Sequence, residues 1–125
     1  MPQTARQGLG SAGERLARRH LEGLGYDFVA ANWRYPGGEI DLVMREVDVL
    51  VFVEVKTRRG DRRGAAEESL SPTQTRRLLH AAQIFLADHP DLADAFWRID
   101  LFAVTLAPSG AVSRLTHLPN AVQTR

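Results

Sequence analysis

The sequence predicts an α/β fold in which a central mixed β-sheet is flanked by helices. Three observations predict this class. An apolar, β-branched run at residues 49–53 is typical of a strand buried on both faces. A hydrophobic stripe at helical spacing precedes that run, and a second, clearly capped helix follows it. The predicted order is helix, strand, strand, strand, helix, strand, strand, in one domain over residues 10–122.

The first half of the chain is predicted from caps and turns. Residues 1–9 have no hydrophobic period and should form a frayed N-terminal segment. A helix is predicted over residues 11–24, with Ser11 and Glu14 as its capping box and Gly25 as its C-cap. A strand over residues 26–34 then leads through a Pro-Gly-Gly turn into a hairpin.

The second half is predicted in the same way. Residues 57–70 are polar and charged and should form a mobile loop. The second helix begins at Pro72, since Ser71 is a good N-cap and Gln74 completes a capping box. Pro90 ends this helix, and residues 91–96 connect it to the last two strands. Those strands are predicted over residues 98–106 and 111–118.

The composition fits a globular protein and excludes several kinds of site. Of the 125 residues, 44% are hydrophobic and 25% are charged, and the net charge is +1. The chain has no cysteine, which excludes disulfides, thiolate zinc sites and a cysteine nucleophile. It also has no signal-peptide core and no apolar run long enough to cross a membrane. We therefore expect a cytoplasmic protein without membrane contact.

The hairpin over residues 38–57 carries charges at its outer end. If its turn is centred on residues 47 and 48, antiparallel partners have numbers that sum to 95, so Asp41 lies opposite Glu54. Opposed carboxylates repel each other and are costly to bury unless a cation lies between them. The functional interpretation is a divalent metal held by Asp41 and Glu54, with Lys56 one pleat away. The structural alternative is a solvated Glu54–Lys56 pair at the end of an edge strand, with Asp41 in a turn.

Two further residues bear on this hypothesis. Lys56 is the only lysine, whereas the other fifteen basic residues are arginine. A role that needs a movable proton or a compact charge would explain a single lysine beside carboxylates, and chance is the alternative. Glu14 lies at the edge of the first helix's apolar stripe. It is either the cap of that helix or a third carboxylate that reaches the metal site.

Arginines cluster after the hairpin and predict a nucleic-acid interface. They are Arg58, Arg59, Arg62, Arg63, Arg76 and Arg77. The guanidinium group pairs bidentately with phosphate oxygens. Gln74 lies with Arg76 and Arg77 at the start of the second helix, where backbone amides also face a phosphate. The alternative is a flexible charged loop without a ligand.

Several motifs together resemble a known family. They are Gly13-Glu14, Gly25-Tyr26, Asn32-Trp33-Arg34, Gly38-Glu39-Ile40-Asp41-Leu42-Val43, Phe52-Val53-Glu54-Val55-Lys56-Thr57-Arg58, Arg98-Ile99-Asp100 and Leu118-Pro119-Asn120-Ala121. The pattern resembles the YraN-like family of uncharacterised bacterial proteins over residues 10–122. That family in turn resembles the PD-(D/E)XK nuclease superfamily, near archaeal Holliday-junction resolvases and restriction endonucleases.

The resemblance implies a restriction-endonuclease-like sandwich and hydrolysis of DNA phosphodiester bonds with Mg²⁺ or Mn²⁺. By motif, Asp41, Glu54 and the carbonyl of Val55 would hold the metal. Lys56 would position or activate the attacking water. Structure-selective cleavage in repair or recombination is the implied activity. A homodimer is expected because the resolvase relatives work as two-fold dimers.

Other positions are assigned by the same resemblance. Glu14 matches a helical glutamate of the resolvase branch, and Glu39 fits a supporting or second-metal role. The chain departs from the family pattern at Val47, where the turn usually has glycine, and at Gln74, where the helix usually has lysine. Two alternatives to the enzyme stay open. One is a nucleic-acid-binding module of nuclease fold without efficient cleavage, and the other is a scaffold for another protein.

Overall fold

The fold follows from a computed structural model, which describes residues 5–59 and 70–122. Its elements are α1 (Ala5–Gly23), β1 (Asp27–Tyr35), β2 (Gly38–Glu46), β3 (Val49–Arg59), α2 (Pro72–Asp88), a 3₁₀ turn (Pro90–Leu92), β4 (Phe96–Leu106) and β5 (Val112–Leu118). The order of helices and strands confirms the predicted one. Most strand ends lie within two residues of the predicted positions.

The five strands form one mixed sheet in the order β1-β2-β3-β4-β5. Neighbouring strands are antiparallel except β3 and β4, which run parallel because α2 connects them as a crossover. This placement makes β3 the central strand. The alternative in which Glu54 and Lys56 lie on an edge strand is therefore wrong.

One helix covers each face of the sheet, which confirms the predicted sandwich. The α1 side has a core of Ala17, Leu21, Tyr26, Leu42, Met44, Val51, Val53, Phe102, Val104 and Leu106. The α2 side has a core of Ile40, Val43, Leu50, Phe52, Leu78, Ala81, Ala82, Phe85, Ile99 and Val122. Because β3 contributes to both cores, its continuous apolar run is explained. This arrangement is consistent with the nuclease-like sandwich that the resemblance implies.

The start of α1 differs from the prediction. The helix begins at Ala5, so Ser11 lies inside it and is not an N-cap. Part of the segment predicted to fray is therefore helical, while residues 1–4 lie outside the described part of the chain. A capping-box pattern can also lie inside a helix, because serine in place of alanine lowers helix stability by only about a few tenths of a kcal/mol. The other end is as predicted, since Gly25 has a φ of 98° and the Tyr26 amide donates to the Leu21 carbonyl.

The signals at α2 are confirmed in detail. The Ser71 hydroxyl accepts a hydrogen bond from the Gln74 amide, and the Gln74 side chain accepts one from the Ser71 amide. The preceding loop is shorter than predicted, because residues 57–59 continue β3 and pair with residues 104–106 of β4. Residues 60–69 of the predicted loop lie outside the described residues.

Neither α1 nor α2, the two long helices of the described chain, is apolar enough over a sufficient length to cross a membrane.

Candidate active site

The hairpin of β2 and β3 has the predicted register. Its partners run from Glu46 opposite Val49 to Leu42 opposite Val53, and each pair sums to 95. The turn between the strands holds Val47 at a φ of 57°, a left-handed conformation that a β-branched residue rarely adopts. The glycine usual at this position in the family pattern has no such cost.

Asp41 lies where this ladder ends, just beyond the Leu42–Val53 pair. Its Oδ2 atom accepts a hydrogen bond from the Val55 amide at 2.9 Å. The Glu54 carboxyl group is within hydrogen-bonding reach of the Asp41 carboxyl group. The two carboxylates that the sequence predicts to face each other are therefore neighbours.

Glu14 reaches the same place from α1, which packs closely on β3. A Cβ atom on Gly13 would overlap the Thr57 hydroxyl, so glycine is what lets the helix approach the strand there. The next residue, Glu14, projects its carboxylate to Asp41 and Glu39. One oxygen from each of these three residues lies within 4.8 Å of the others. Glu14 is therefore the third carboxylate and not a helix cap.

Three basic side chains border this acidic cluster, which we define as Glu14, Glu39, Asp41 and Glu54. Arg34 Nε lies 3.1 Å from Glu39 Oε1 and Arg77 Nη2 lies 3.3 Å from Glu54 Oε2. Lys56 lies two residues after Glu54 on β3, is partly buried, and acts electrostatically on the Glu54 carboxyl group. The cluster still has one more acid than base, and two of its three bases reach it from the surface.

Burial and like charges raise the pKa values of these acids. Burial raises the pKa of Glu14 to about 7, and the charges of Asp41 and Glu39 add to the effect while a hydrogen bond from Asn32 opposes it. Burial also raises the pKa of Glu54 to about 7, with the Asp41 charge second and Arg77 in opposition. The pKa of Asp41 is raised by burial and restrained by the Val55 amide. Burial is the largest cause of each of the three shifts, and repulsion between the acids adds to it.

The cluster passes two tests for a hard divalent cation. Oε1 of Glu14 is buried and has no hydrogen-bond partner among the described residues, which is costly for an acceptor without a ligand. The donors are all carboxylate oxygens, the atoms that Mg²⁺ and Mn²⁺ prefer. Adjacent ligands of one octahedral Mg²⁺ lie about 3 Å apart, so the trio of Glu14, Glu39 and Asp41 would draw together on binding the ion. The residues present fit the ion.

The carboxylates are grouped differently from the prediction, which paired Asp41 with Glu54 as metal ligands. Asp41 is grouped with Glu14 and Glu39 on one side, whereas Glu54 contacts Asp41 and the Arg77 guanidinium on the other. Glu39, given a supporting or second-metal role by the resemblance, is thus grouped with Asp41 as Glu14 is. Asp41 is the residue that both groups share.

The predicted nucleic-acid residues are only partly gathered at this site. Arg58 and Arg59 are exposed at the end of β3, and Arg76 is exposed at the start of α2. Arg77 contacts Glu54, so it belongs to the acidic cluster as much as to a surface. Gln74 is engaged in the helix cap. Arg62 and Arg63 lie outside the described residues.

Asn32, which had no predicted role, supports the cluster. Its side chain hydrogen-bonds to Glu14, and its backbone has a φ of 52° in the middle of β1. Asparagine tolerates this left-handed conformation better than most residues. The signal was present in the Asn32-Trp33-Arg34 motif, whose asparagine is an uncommon choice for a strand.

A second buried carboxylate, Asp100 on β4, was also missed. It has no exposed surface and accepts hydrogen bonds from Arg98 Nε at 2.9 Å and from the Asn120 amide at 2.8 Å, while His117 Nε2 lies 2.7 Å away. Arg98 also donates to Glu46 and Tyr26, each at 2.8 Å. These partners outweigh burial and lower the pKa of Asp100. In the sequence, only the family motifs around Arg98 and Asn120 indicated that this region is important.

Comparison with known proteins places the chain in a family. Residues 13–104 match the model of the uncharacterised protein family UPF0102. A UPF0102 protein of Roseiflexus castenholzii is 42% identical over 115 residues, which cover 92% of this chain and 93% of the relative. UPF0102 proteins of Yersinia pseudotuberculosis and Yersinia pestis are each 46% identical over 112 residues, which cover 89% of this chain and 91% of each relative. These matches confirm the YraN-like resemblance, and the chain belongs to the uncharacterised protein family UPF0102.

Proposed function

We propose that this protein is an endonuclease that hydrolyses DNA phosphodiester bonds with Mg²⁺ or Mn²⁺ as cofactor. The single observation that carries the proposal is the convergence of Glu14, Glu39 and Glu54 on the partly buried carboxylate of Asp41. Gathering four carboxylates costs stability, and a divalent cation is the ligand that removes the cost. Perturbed acids of this kind cluster at functional sites.

The chain's own residues would divide the work around the shared carboxylate. Asp41, Glu14 and Glu39 would hold the ion, with Glu54 and the Val55 carbonyl completing the ligands implied by the family motif. A bound Mg²⁺ supplies Lewis-acid stabilisation of charge on a phosphate. Lys56 would position the attacking water and stabilise negative charge on the phosphoryl oxygens. The Val55 amide holds Asp41 in place through its hydrogen bond.

The exposed arginines would bind the sugar–phosphate backbone. Arg58 and Arg59 extend beyond Lys56 along β3, so a strand bound there would pass the acidic cluster. Phosphate contacts position the substrate without reading its sequence, which suits selection by structure, as in repair or recombination. A homodimer would present two such sites to a branched substrate.

A nucleic-acid-binding module without efficient cleavage is the second candidate. One observation favours it. The Arg77 guanidinium lies 3.3 Å from Glu54 Oε2 and already supplies a positive charge to a carboxylate of the signature. A protein that had lost its metal would need such a substitute. The Glu54 side chain is 14% exposed and the Arg77 side chain 53%, so the carboxylate end of the pair is shielded from solvent while the guanidinium end is solvated.

The test is cleavage of labelled single-stranded, duplex, flap, nicked and four-way-junction DNA with Mg²⁺, Mn²⁺ or chelator. Glu54→Gln and Lys56→Met should each reduce the rate by at least about 100-fold, because each removes charge at the reacting phosphate. Glu22→Gln is the matched control, since Glu22 pairs with Arg18 on the exposed side of α1 and should not affect the rate.

Two results would decide between the candidates. Cleavage that needs the metal and is lost in both variants, with both variants still folding cooperatively, supports the nuclease. Binding that is equal in chelator and in Mg²⁺, without cleavage of any substrate, supports the binding module. Light scattering of the purified protein tests the homodimer, which a monomer at high concentration would contradict.

A further inference from the structure

A groove of about 430 Å³ opens between the edge strand β1 and the C-terminal half of α2. Its volume lies within the range of small-molecule sites, roughly 300–1,000 Å³. The lining side chains include Trp33, Arg34, Tyr35, Ile84, Ala87 and Asp88. The groove is separate from the acidic cluster, and no residue of that cluster lines it.

Two aromatic rings form one wall of this groove. The rings of Trp33 and Tyr35 stack with centroids 5.7 Å apart and an interplanar angle of 29°. Trp33 is fixed from behind by Phe85, whose ring meets it edge-on at 5.0 Å. Both aromatic residues are only partly buried. A fixed, partly exposed aromatic wall is the surface on which nucleobases stack.

The polar groups at the groove also match a nucleotide. Asp88 offers carboxylate oxygens, which accept hydrogen bonds from the amino groups of bases. The Arg34 side chain is 78% exposed and carries several N–H donors that suit a phosphate. Aromatic faces, an acceptor and a phosphate-binding cation are together the complement of one nucleotide.

Arg34 connects the groove to the acidic cluster. Its Nε atom lies 3.1 Å from Glu39 Oε1, and Glu39 is one of the three acids grouped at Asp41. Arg34 and Glu39 are also paired residues of β1 and β2. Only the Arg34 side chain would therefore separate a nucleotide in the groove from a phosphate at the cluster.

We propose that this groove binds an unpaired nucleobase next to the phosphate that the acidic cluster acts on. The inference rests on the proposed function and gives its substrate class, a nucleic-acid strand with an unpaired nucleotide. The bases of a regular duplex are stacked and paired, so they cannot enter a pocket without being extruded. The groove thus favours flaps, bulges and single strands over a continuous duplex.

The first experiment isolates the base from the phosphates. The chain has two tryptophans, so Trp97→Phe leaves Trp33 as the only tryptophan reporter. In chelator, this variant is titrated with a short single-stranded oligonucleotide and with the same oligonucleotide carrying abasic sites. Stacking predicts quenching of Trp33 fluorescence and about 5- to 150-fold tighter binding of the strand that has bases. Equal affinity with no difference in quenching would overturn the proposal.

Variants of the wall provide the second experiment. Tyr35→Leu and Trp33→Leu should each abolish most of the preference for bases over abasic sites. Phe96→Leu is the matched control, because Phe96 is 75% exposed at the start of β4, does not line the groove, and should keep the preference. Trp33 also packs on Phe85, so thermal unfolding identifies a variant that fails to fold, and Tyr35→Leu then decides. A preference that both folded variants retain refutes the groove.

The two proposals fail in different ways. Preference for bases in chelator, without cleavage in any metal, would support the groove and refute the nuclease. Metal-dependent cleavage at equal rates on strands with and without bases would support the nuclease and refute the groove. Because RNA and DNA share these bases, titration with ribonucleotide and deoxyribonucleotide versions of the strand shows which of the two nucleic acids the groove prefers.

Discussion

Asp41 and Asp100 are both carboxylates on the α/β sheet, but Asp41 is partly buried, Asp100 has no exposed surface, and their surroundings differ in kind. Asp100 has an arginine, a histidine and a backbone amide directed at it, and its pKa is lowered. Asp41 has one backbone amide and three other acids, and its pKa is raised. The difference teaches how the two kinds of charge are recognised. The fold itself supplies the partners of Asp100, whereas it leaves the charges around Asp41 partly uncompensated, and this is the ground for proposing a ligand there.

The largest expected effect comes from the same substitution made at both carboxylates. Asp100→Asn should lower the free energy of unfolding by about 3–5 kcal/mol, because it removes the charge that compensates Arg98. Asp41→Asn in the metal-free protein should change it by less than about 1 kcal/mol, since an amide oxygen still accepts from Val55 and repulsion with the other acids is relieved. Urea unfolding in chelator at pH 8 measures both values.

Glu22→Asn is a matched exposed control for this pair of variants, because its ion pair with Arg18 is solvated. Similar losses for Asp41→Asn and Asp100→Asn would contradict the comparison. Such a result would mean that Asp41 is held by the fold as firmly as Asp100 and that no ligand is missing.

The next effect is a pH dependence of opposite sign in the two regions. The folded pKa of Glu54 is raised from 4.5 to about 7, so its contribution to stability is present below pH 4.5 and lost as the pH rises to about 7. The loss for Glu54 is on the order of 3 kcal/mol. Glu14 acts in the same direction. Asp100 has a lowered pKa, so its contribution is lost only as the pH falls below its ordinary value of 3.8.

Equilibrium unfolding in chelator from pH 4 to pH 8 should therefore show stability declining between about pH 4.5 and pH 7 and levelling off above that. Millimolar Mg²⁺ should reduce the decline, because the ion binds the ionised carboxylates of the folded state. A curve that is flat between pH 5 and pH 8 in chelator would contradict the interpretation of the acidic cluster. The variant Glu54→Gln should flatten the curve in the same way as the metal.

The smallest expected effect is the loss of stability on substitution of Glu46, the exposed acid that shares Arg98 with Asp100. Glu46 lies 2.8 Å from Arg98, as close as Asp100 does, but its side chain is 43% exposed. Glu46→Gln should therefore cost only about 0.2–1 kcal/mol, since water replaces the lost partner. Thermal or urea unfolding measures this cost beside that of Asp100→Asn. A loss as large as that of Asp100→Asn would show that distance, and not burial, decides the value of these charges.

The parts of the molecule that the sequence predicts are those governed by local patterns. The alternation and turn position fix the hairpin register, and the Ser71–Gln74 capping box fixes the start of α2. These same patterns bring Asp41 beside Glu54. Burial of β3 on both faces was readable from its apolar run, because only a central strand needs one.

The parts that the sequence does not predict depend on contacts between distant segments. Arg98, Asp100 and Asn120 meet only when β4 has paired, and the meeting of Glu14 with Asp41 needs α1 to pack on β3 at Gly13. Residues 57–59 read as loop because they are polar, but pairing with β4 extends the strand through them. Tertiary pairing overrides local propensity at such positions.

The strained turn at Val47 has a consequence for the order in which the protein assembles. A β-branched residue with a φ of 57° disfavours the hairpin before its strands are packed, so the turn alone does not hold the β2–β3 pairing. The register that brings Asp41 beside Glu54 then depends also on the packing of the strands, including the pairing of β3 with β4, which forms only after the crossover. We therefore expect the carboxylates to come together late in folding. A partly synthesised chain that ends before β4 would carry every acid of the cluster without an organised site for a cation.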